Sequence, residues 1–195
     1  MENKIEIRKE FTFNNIHIVR NCTSERCKKS AHAHTYHVEV FLTSNKLDNG
    51  QMAVDFGILK NTMKSLIKVF DGCYTLWNRE KVEYKNFVKK NFKNIIETNF
   101  NPSAESYAIY FYKMIELLLN RTTFNNDEGQ INVSKVIVHE THSGYAIADE
   151  NSVNMHLCEE HITNISCENN EGIKVIDTLL NTHNLFINET PEQQV

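Results

Sequence analysis

The sequence lacks several features that would assign it to particular classes of protein. It has no excess of positive charge, because 21 Lys and Arg are set against 25 Asp and Glu; the net charge of −4 gives no reason to expect a nucleic-acid partner. No apolar run is long enough to cross a bilayer, and the longest, over 109–119, contains Lys113 and Glu116. The first residues lack the apolar core of a secretion signal. Five irregularly spaced cysteines, an odd number, favour thiols in a reducing compartment over a disulfide framework. We therefore expect a cytoplasmic protein with neither a nucleic-acid nor a membrane partner.

The composition is that of an ordinary globular protein. Hydrophobic residues make up 41% of the 195 residues and charged residues 24%. This length suits one domain with a sizeable core, or one core with an appendage. No internal repeat of solenoid type is present.

Periodicity predicts six elements in the order strand, strand, helix, helix, strand, strand. Apolar residues alternate over 4–19 and over 32–42, as they do in half-buried strands. Helical spacing over about 55–70 follows a capping residue, Asp55, and a second helix opens at Asn101-Pro102-Ser103 and ends near Asn120. A last strand pair is predicted over 131–141 and 145–149, around Ser143-Gly144.

Two regions lie outside this plan. Residues 73–100 are rich in Lys and Asn with sparse apolar positions, which suggests an insertion with a short helix. Residues 150–195 are polar apart from an apolar patch over 173–180. We therefore predict one domain over 1–149, carrying the insertion, and a polar C-terminal extension over 150–195.

Three histidines share one phase of the first two predicted strands. His32 and His34 are two residues apart, so their side chains point to the same face with Cα atoms about 6.6 Å apart. His17, near the end of the first strand, lies on the same face as Phe11 and Phe13. Imidazole suits zinc, and a catalytic zinc site uses three protein ligands and leaves a fourth position open. If the two apolar faces form one core, the three imidazoles converge at its rim.

The alternative is that these are ordinary histidines on solvated strands. A pair separated by one residue is common on such strands, and the pair alone would not favour a metal site. The match in phase with His17 favours the metal. His37 points to the opposite face and is predicted to be a surface histidine. The remaining histidines have no predicted role: His139, His142, His156, His161 and His183.

Six segments of the chain together resemble a known family. In order they are FTFNNIH, RCKKSAHAHTYHVEV, NGQMAVDFGILK, FDGCYTLW, NPSAES and VIVHETHSGYA. They resemble the motifs of the tunnelling-fold pterin enzymes, the 6-pyruvoyl-tetrahydropterin synthase and 6-carboxytetrahydropterin synthase family, and they span about residues 5–149. Each motif alone is weak, but six in family order are specific.

The resemblance implies a fold and an assembly. The fold is α+β, a tunnelling fold of ββααββ order, with a four-stranded antiparallel sheet and two helices on one face. Sheets of this kind join between subunits into a β-barrel, which removes their exposed edges. The resemblance therefore implies a homo-oligomer, a hexamer of two trimers, with sites at subunit boundaries.

The resemblance also implies a substrate and roles for particular residues. The family acts on 7,8-dihydroneopterin triphosphate, with zinc (Zn2+) held here by His17, His32 and His34. Cys27 matches the proton-transfer cysteine, and Asp71 matches the aspartate of an Asp-His pair that assists it. Glu140 matches the pterin anchor and is also assigned to the catalytic set. The further substrate-binding matches are Glu105 and Thr141.

Several of these residues also have ordinary structural interpretations. Cysteine is often a small buried hydrophobic residue. Glu105 suits the first turn of a helix, where a carboxylate is favoured in any case. Glu140 could be a solvated residue at a strand end, although the apolar run before it favours a pocket.

Two positions depart from the family pattern. Ala33 replaces the glycine of the His-Gly-His strand, on the side facing away from the metal. Gly72 replaces the histidine of the Asp-His pair, and glycine cannot relay a proton. His139, His142 or Cys73 would have to supply the base, or water would replace it, or the protein would be slow or inactive.

The Glu-Thr motif and the short Cys-to-His spacing favour 6-carboxytetrahydropterin synthase, a zinc-dependent lyase of queuosine and 7-deazapurine synthesis. Three alternatives stay open. One is 6-pyruvoyl-tetrahydropterin synthase. The second is a pterin or purine binder without catalysis, because of Gly72. The third is a structural zinc domain with a closed four-ligand site, whose tail over 150–195 binds a partner.

Overall fold

Two long strands, β1 (Ile5–His17) and β2 (His32–Ser44), form the antiparallel pair on which the site is built. The structure, a computed structural model, describes residues 4–152 and 166–167, apart from the side chains at positions 58, 59, 166 and 167. Burial alternates along both strands, so that Phe13 and Tyr36 lie fully buried on one face. Between the strands lies a five-residue helix, α1 (Glu25–Lys29), which periodicity did not predict.

The other strands form a mixed sheet around this pair. The insertion contributes β3 (Cys73–Trp77) and β4 (Ile95–Thr98), which run parallel to each other, and β3 pairs in parallel with the end of β1. On the other side, β5 (Ile131–His139) pairs with β2, and β6 (Tyr145–Asp149) pairs with β5, both antiparallel.

The prediction of a four-stranded antiparallel sheet needs correction. The four predicted strands are present and antiparallel, but the described sheet has seven strands in the order β6-β5-β2-β1-β3-β4-β7, and it is mixed. The segments CYTLW and IIET are short strands with nearly every residue buried, so they lack the alternation from which longer strands were predicted. The insertion therefore extends the sheet.

The last strand, β7 (Ser166–Cys167), comes from the predicted C-terminal extension and pairs antiparallel with β4. The rest of that extension beyond residue 152, over 153–165 and 168–195, lies outside the described residues.

Three longer helices complete the part of the fold that the structure describes. The two predicted ones are confirmed as α2 (Phe56–Lys68), capped by the Asp55 side chain, and α4 (Ala104–Asn120), capped by the Ser103 side chain. The insertion helix is α3 (Val82–Asn91). Within residues 4–152 and 166–167, no helix is long and apolar enough to cross a membrane.

The helices lie on both faces of the sheet. The core joins side chains of β1 and β2 to those of α2 and α4, and its centre is Phe13, stacked on Tyr36 at 4.8 Å and edge-on to Tyr107 at 5.6 Å. A second cluster joins Tyr74 and Leu76 of β3 to Val88 of α3. Cys73 belongs to the first core, and side chains alternate along a strand, so α3 covers the opposite face from α2 and α4.

Candidate metal centre

The three in-phase histidines meet at one end of the β1–β2 pair. His17 is the last residue of β1 and lies directly across from His32, and His34 is two residues further along β2. The ring centres are 4.5 Å apart for His17 and His32, 5.3 Å for His17 and His34, and 5.0 Å for His32 and His34. This convergence follows from the strand register, because side chains on one face of paired strands are neighbours.

A carboxylate completes the group. Glu140, the residue after β5, has its Oε1 3.5 Å from Nε2 of His17 and 3.7 Å from Nε2 of His34. One potential ligand atom from each of His17, His32, His34 and Glu140 lies within 4.8 Å of every other. Four such donors in so small a volume could hold one metal ion.

Hydrogen bonds on the far side of two rings orient their lone pairs toward this group. Nδ1 of His17 lies 2.5 Å from the Pro102 carbonyl oxygen, and Nδ1 of His32 lies 2.9 Å from that of Ser30. A carbonyl only accepts, so each Nδ1 carries the proton and each Nε2 is left as an acceptor. Histidines that bind metals are held in this way. The donor set therefore fits a metal such as zinc.

Tyr36 lies beneath the cluster and was not predicted to take part in it. Its hydroxyl donates to Oε1 of Glu140 at 3.2 Å and lies 3.3 Å from Nε2 of His17. Burial strongly raises the pKa of Tyr36, and the neighbouring Tyr107 and Glu140 raise it further, so the phenol stays protonated and remains a donor. Its phase on β2, shared with His32 and His34, was the signal that could have identified it.

Two of these histidines, His17 and His34, resist protonation in the folded chain. Burial lowers the pKa of His17 to about 4; the Pro102 carbonyl opposes this, and His32 and His34 add to it. The pKa of His34 is also lowered, first by burial, although the charge of Glu140 opposes this. Neutral imidazoles are the form that binds a metal.

The metal-free protein is therefore expected to lose stability in mild acid. The pKa of His17 is about 4 when folded and 6.5 ordinarily, so the unfolded chain binds the proton first. The contribution of neutral His17 to the free energy of unfolding is complete above pH 6.5 and is lost as the pH falls through about 4. The loss amounts to about 3 kcal/mol. Urea unfolding of chelator-treated protein at several pH values between 7.5 and 4.5 measures this fall in the free energy of unfolding. The His17→Asn variant should show a flatter pH dependence, and an unchanged slope in that variant would refute the assignment.

Comparison with known proteins identifies the family. A family model described as 6-pyruvoyl tetrahydropterin synthase matches residues 6–151. The chain is 42% identical over 140 residues to 6-carboxy-5,6,7,8-tetrahydropterin synthase of Helicobacter pylori strain 26695, covering 72% of this chain and 70% of the relative. The chain belongs to the 6-pyruvoyl tetrahydropterin synthase family.

Further proteins resemble the chain in sequence or in fold. The enzyme of Aquifex aeolicus named 6-carboxy-5,6,7,8-tetrahydropterin synthase is 30% identical over 113 residues, which cover 56% of this chain and 68% of that one. Among solved structures, 6-pyruvoyl tetrahydropterin synthase of Caenorhabditis elegans matches with a TM-score of 0.52 at 18% identity, covering 75% of this chain and 96% of that chain. An uncharacterized protein from Wolinella succinogenes matches with a TM-score of 0.60 at 18% identity, covering 76% and 99%.

Cys27, the residue predicted to transfer protons, lies on α1, next to the end of β1. The backbone N–H of Val19 donates to the Cys27 carbonyl at 3.1 Å, so the helix is attached two residues after His17. Cys27 itself is half-buried. Its sulfur does not belong to the four-residue ligand group found among the described residues. The structure thus places the Cys27 helix beside the histidines without making the thiol a ligand.

Asp71 is turned away from the histidines of its own chain. Its Oδ1 accepts from the backbone N–H of Asn14 at 2.7 Å, and its Oδ2 accepts from Nζ of Lys68 at 2.8 Å. Burial raises the pKa of Asp71, but the bonds from Lys68 and Asn14 outweigh it and the net shift is downward. This carboxylate fastens the turn after α2 to β1.

The glycine at the family's histidine position adopts a backbone conformation that other residues disfavour. Gly72 has φ +70°, and a Cβ there would meet nothing within 4 Å. The proposed replacements lie elsewhere: His139 and His142 border a separate pocket, and the buried thiol of Cys73 donates to the Val69 carbonyl at 3.3 Å. A side chain at position 72 would therefore begin in open space but on a strained backbone.

The two remaining predicted residues are placed differently from each other. Glu105 is an exposed residue in the first turn of α4, and its charge contributes to the raised pKa of Tyr36. Thr141 is exposed and lines a pocket of about 390 Å³ with His37, His139 and His142. His37 lies on the sheet face opposite to His34, so Thr141 does not join Glu140 within one chain.

Proposed function

We propose that the protein is a zinc-dependent 6-carboxy-5,6,7,8-tetrahydropterin synthase acting on 7,8-dihydroneopterin triphosphate. The observation that carries the proposal is the group of three imidazoles, two of them oriented by backbone carbonyls, with Glu140 beside them. Curated relatives that carry this enzyme name, at up to 42% identity, favour this activity within the family.

His17, His32 and His34 would hold the zinc. Three imidazole donors, two of them fixed through Nδ1, leave a further coordination position for substrate, as catalytic zinc sites do. Bound zinc would act as a Lewis acid on the side-chain oxygens of the substrate and so acidify the adjacent C–H and O–H bonds.

Glu140 would anchor the pterin ring. A pterin presents a ring N–H beside an exocyclic amino group, and a carboxylate can accept from both. About a third of the Glu140 side chain is exposed, so a ligand can reach it, while the Tyr36 hydroxyl holds Oε1 from below. Glu105 and Thr141 are proposed to contribute to substrate binding around this anchor.

Cys27 would transfer protons. Around the cysteine, α1 carries the basic residues Arg26, Lys28 and Lys29. Asp71 is proposed to assist from a second copy of the chain, because in its own chain it lies with Asn14 and not with the histidines.

The same proposal includes a homo-oligomer, a hexamer of two trimers built on a β-barrel. Strand β6 is an edge of the sheet and exposes Tyr145 and Ile147. Across the sheet, β1 pairs with β3 only at Asn15 and Ile16, so within the described residues most of its second edge has no strand partner. Unpaired edges favour pairing between copies.

Two other functions, one catalytic and one not, are tested with it. The product could be that of a 6-pyruvoyl-tetrahydropterin synthase, since both reactions begin from the same substrate. Gly72 favours a non-catalytic pterin or purine binder. Incubation of zinc-loaded protein with dihydroneopterin triphosphate, followed by chromatography and mass spectrometry of the pterins, distinguishes them. Formation of the 6-carboxy product supports the proposal, and absence of any conversion at high protein concentration refutes it.

The Gly72→His substitution is expected to raise kcat by about 10-fold to 100-fold, because a positioned acid or base contributes at least that much. The control is Gly72→Ala, which imposes the same backbone strain at φ +70° without an imidazole. A rate for Gly72→His no higher than that of Gly72→Ala would show that this position needs no relay. Steady-state kinetics at saturating substrate makes the measurement.

A further inference from the structure

Arg20 lies where three segments of the chain meet. Its Nε donates to Oε1 of Glu80 at 2.5 Å, and its Nη1 donates to the Lys28 carbonyl at 2.5 Å. The guanidinium carbon lies 4.9 Å from the ring centre of Tyr84 on α3. One side chain therefore joins the end of β1, helix α1 and the insertion.

The backbone of Arg20 is fixed relative to the metal centre. Asn101 accepts from the Arg20 N–H at 3.0 Å and donates to the Arg20 carbonyl at 2.5 Å. The next residue, Pro102, holds the ring of His17 through its carbonyl. Arg20 and His17 are thus attached to the same short segment before α4. A group that Arg20 contacts is therefore held at a fixed position relative to the histidines.

Helix α1 depends on few contacts for its position. It has five residues, none of them buried, and a helix this short has no stability of its own. Apart from its caps, its backbone is attached by the bond from Val19 to the Cys27 carbonyl and by the bond from Arg20 to the Lys28 carbonyl. The second of these comes from a side chain that is itself held by the insertion.

The insertion holds that side chain firmly. The Glu80 side chain is only 7% exposed and that of Arg20 is 25% exposed, so their ion pair is largely shielded from water. The Tyr84 hydroxyl, on the ring that faces the guanidinium, shares a hydrogen bond of 2.7 Å with Tyr74 on β3. A guanidinium presents five N–H donors in a rigid plane whose face stacks on an aromatic ring, whereas an ammonium group is a compact point charge without this plane.

We infer that Arg20 is a positioning residue through which the insertion, residues 73–100, holds the Cys27 helix beside the metal centre. The inference rests on the proposed function for the role of the thiol, but the geometry of Arg20 is independent of that role. The inference assigns the insertion a structural role at the site, which follows neither from the fold nor from the family name.

The test is the reactivity of Cys27 in the zinc-loaded protein. Iodoacetamide labelling is followed at each cysteine by peptide mass spectrometry, for wild type, Arg20→Lys and Glu80→Gln. Lysine keeps the charge but cannot reproduce both hydrogen bonds of the guanidinium, to Glu80 and to the Lys28 carbonyl. Helix α1 should therefore detach locally more often, and Cys27 should be labelled about tenfold faster. Zinc content should not change, and kcat should fall with little change in KM. Glu80→Gln should give a smaller change in the same direction.

Lys85→Met is the matched control. Lys85 pairs with Glu97 wholly inside the insertion, and its loss should lower thermal stability without altering the labelling of Cys27. A wild-type labelling rate in both Arg20→Lys and Glu80→Gln would overturn the inference, as would an equal acceleration in Lys85→Met. If labelling changes as expected while wild type forms no pterin product, the positioning role stands and the proposed function fails.

Discussion

Replacing His34 with alanine is expected to lower zinc affinity by more than about 100-fold, because even the loss of an outer partner of a metal-binding histidine costs 10-fold to 100-fold. His34 supplies one of the donors that lie within 4.8 Å of one another. Its removal leaves two imidazoles, fewer than the three protein ligands of a catalytic zinc site. Competition with a chromogenic chelator measures the affinity, and synthase activity should disappear with the metal.

The control for this substitution lies on the same strand. His37 is three residues further along β2, points to the opposite face and lies against Glu10, with its Nδ1 3.4 Å from Oε1. His37→Ala removes an imidazole of the same chemistry and should keep wild-type zinc affinity. Wild-type affinity in His34→Ala, or equal losses in both variants, would eliminate the proposed metal centre.

The sequence predicted the histidine group well because its geometry is local to two strands. The two-residue period places His32 and His34 on one face, and the same period places His17 with Phe11 and Phe13. The antiparallel register then brings His17 opposite to His32, with no contribution from distant segments. Helices α2 and α4 were predictable for the same reason, since caps and apolar spacing are local signals.

Other features depend on contacts that no local pattern encodes. The carbonyls of Ser30 and Pro102, which orient two rings, are backbone groups and leave no mark on the side-chain sequence. Strands β3 and β4 are too short and too fully buried to alternate. The contact of Glu140 with the histidines joins residues more than a hundred positions apart. The resemblance predicted that Glu140 matters, but only the structure places it 3.5 Å from a histidine.

That distance raises a question about Glu140, which is close enough either to bind the metal or to bind substrate beside it. As a fourth ligand it would close the site, as in structural zinc centres. As an anchor it would leave the zinc open and face the pterin. About a third of the Glu140 side chain is exposed, so a ligand can reach it, and this favours the second role.

Glu140→Gln is therefore expected to separate zinc binding from catalysis. The amide keeps the size of the side chain and can still accept from Tyr36, but it cannot receive two N–H groups of a pterin. Two charge-assisted hydrogen bonds of roughly 1.5–3 kcal/mol each predict a fall in kcat/KM of about 10²-fold to 10⁴-fold. Zinc affinity should stay at the wild-type value, and Glu116→Gln, at an exposed carboxylate of α4, should change neither quantity. If Glu140→Gln instead releases the zinc, Glu140 is a ligand, the site is closed, and the pterin must be anchored by another residue.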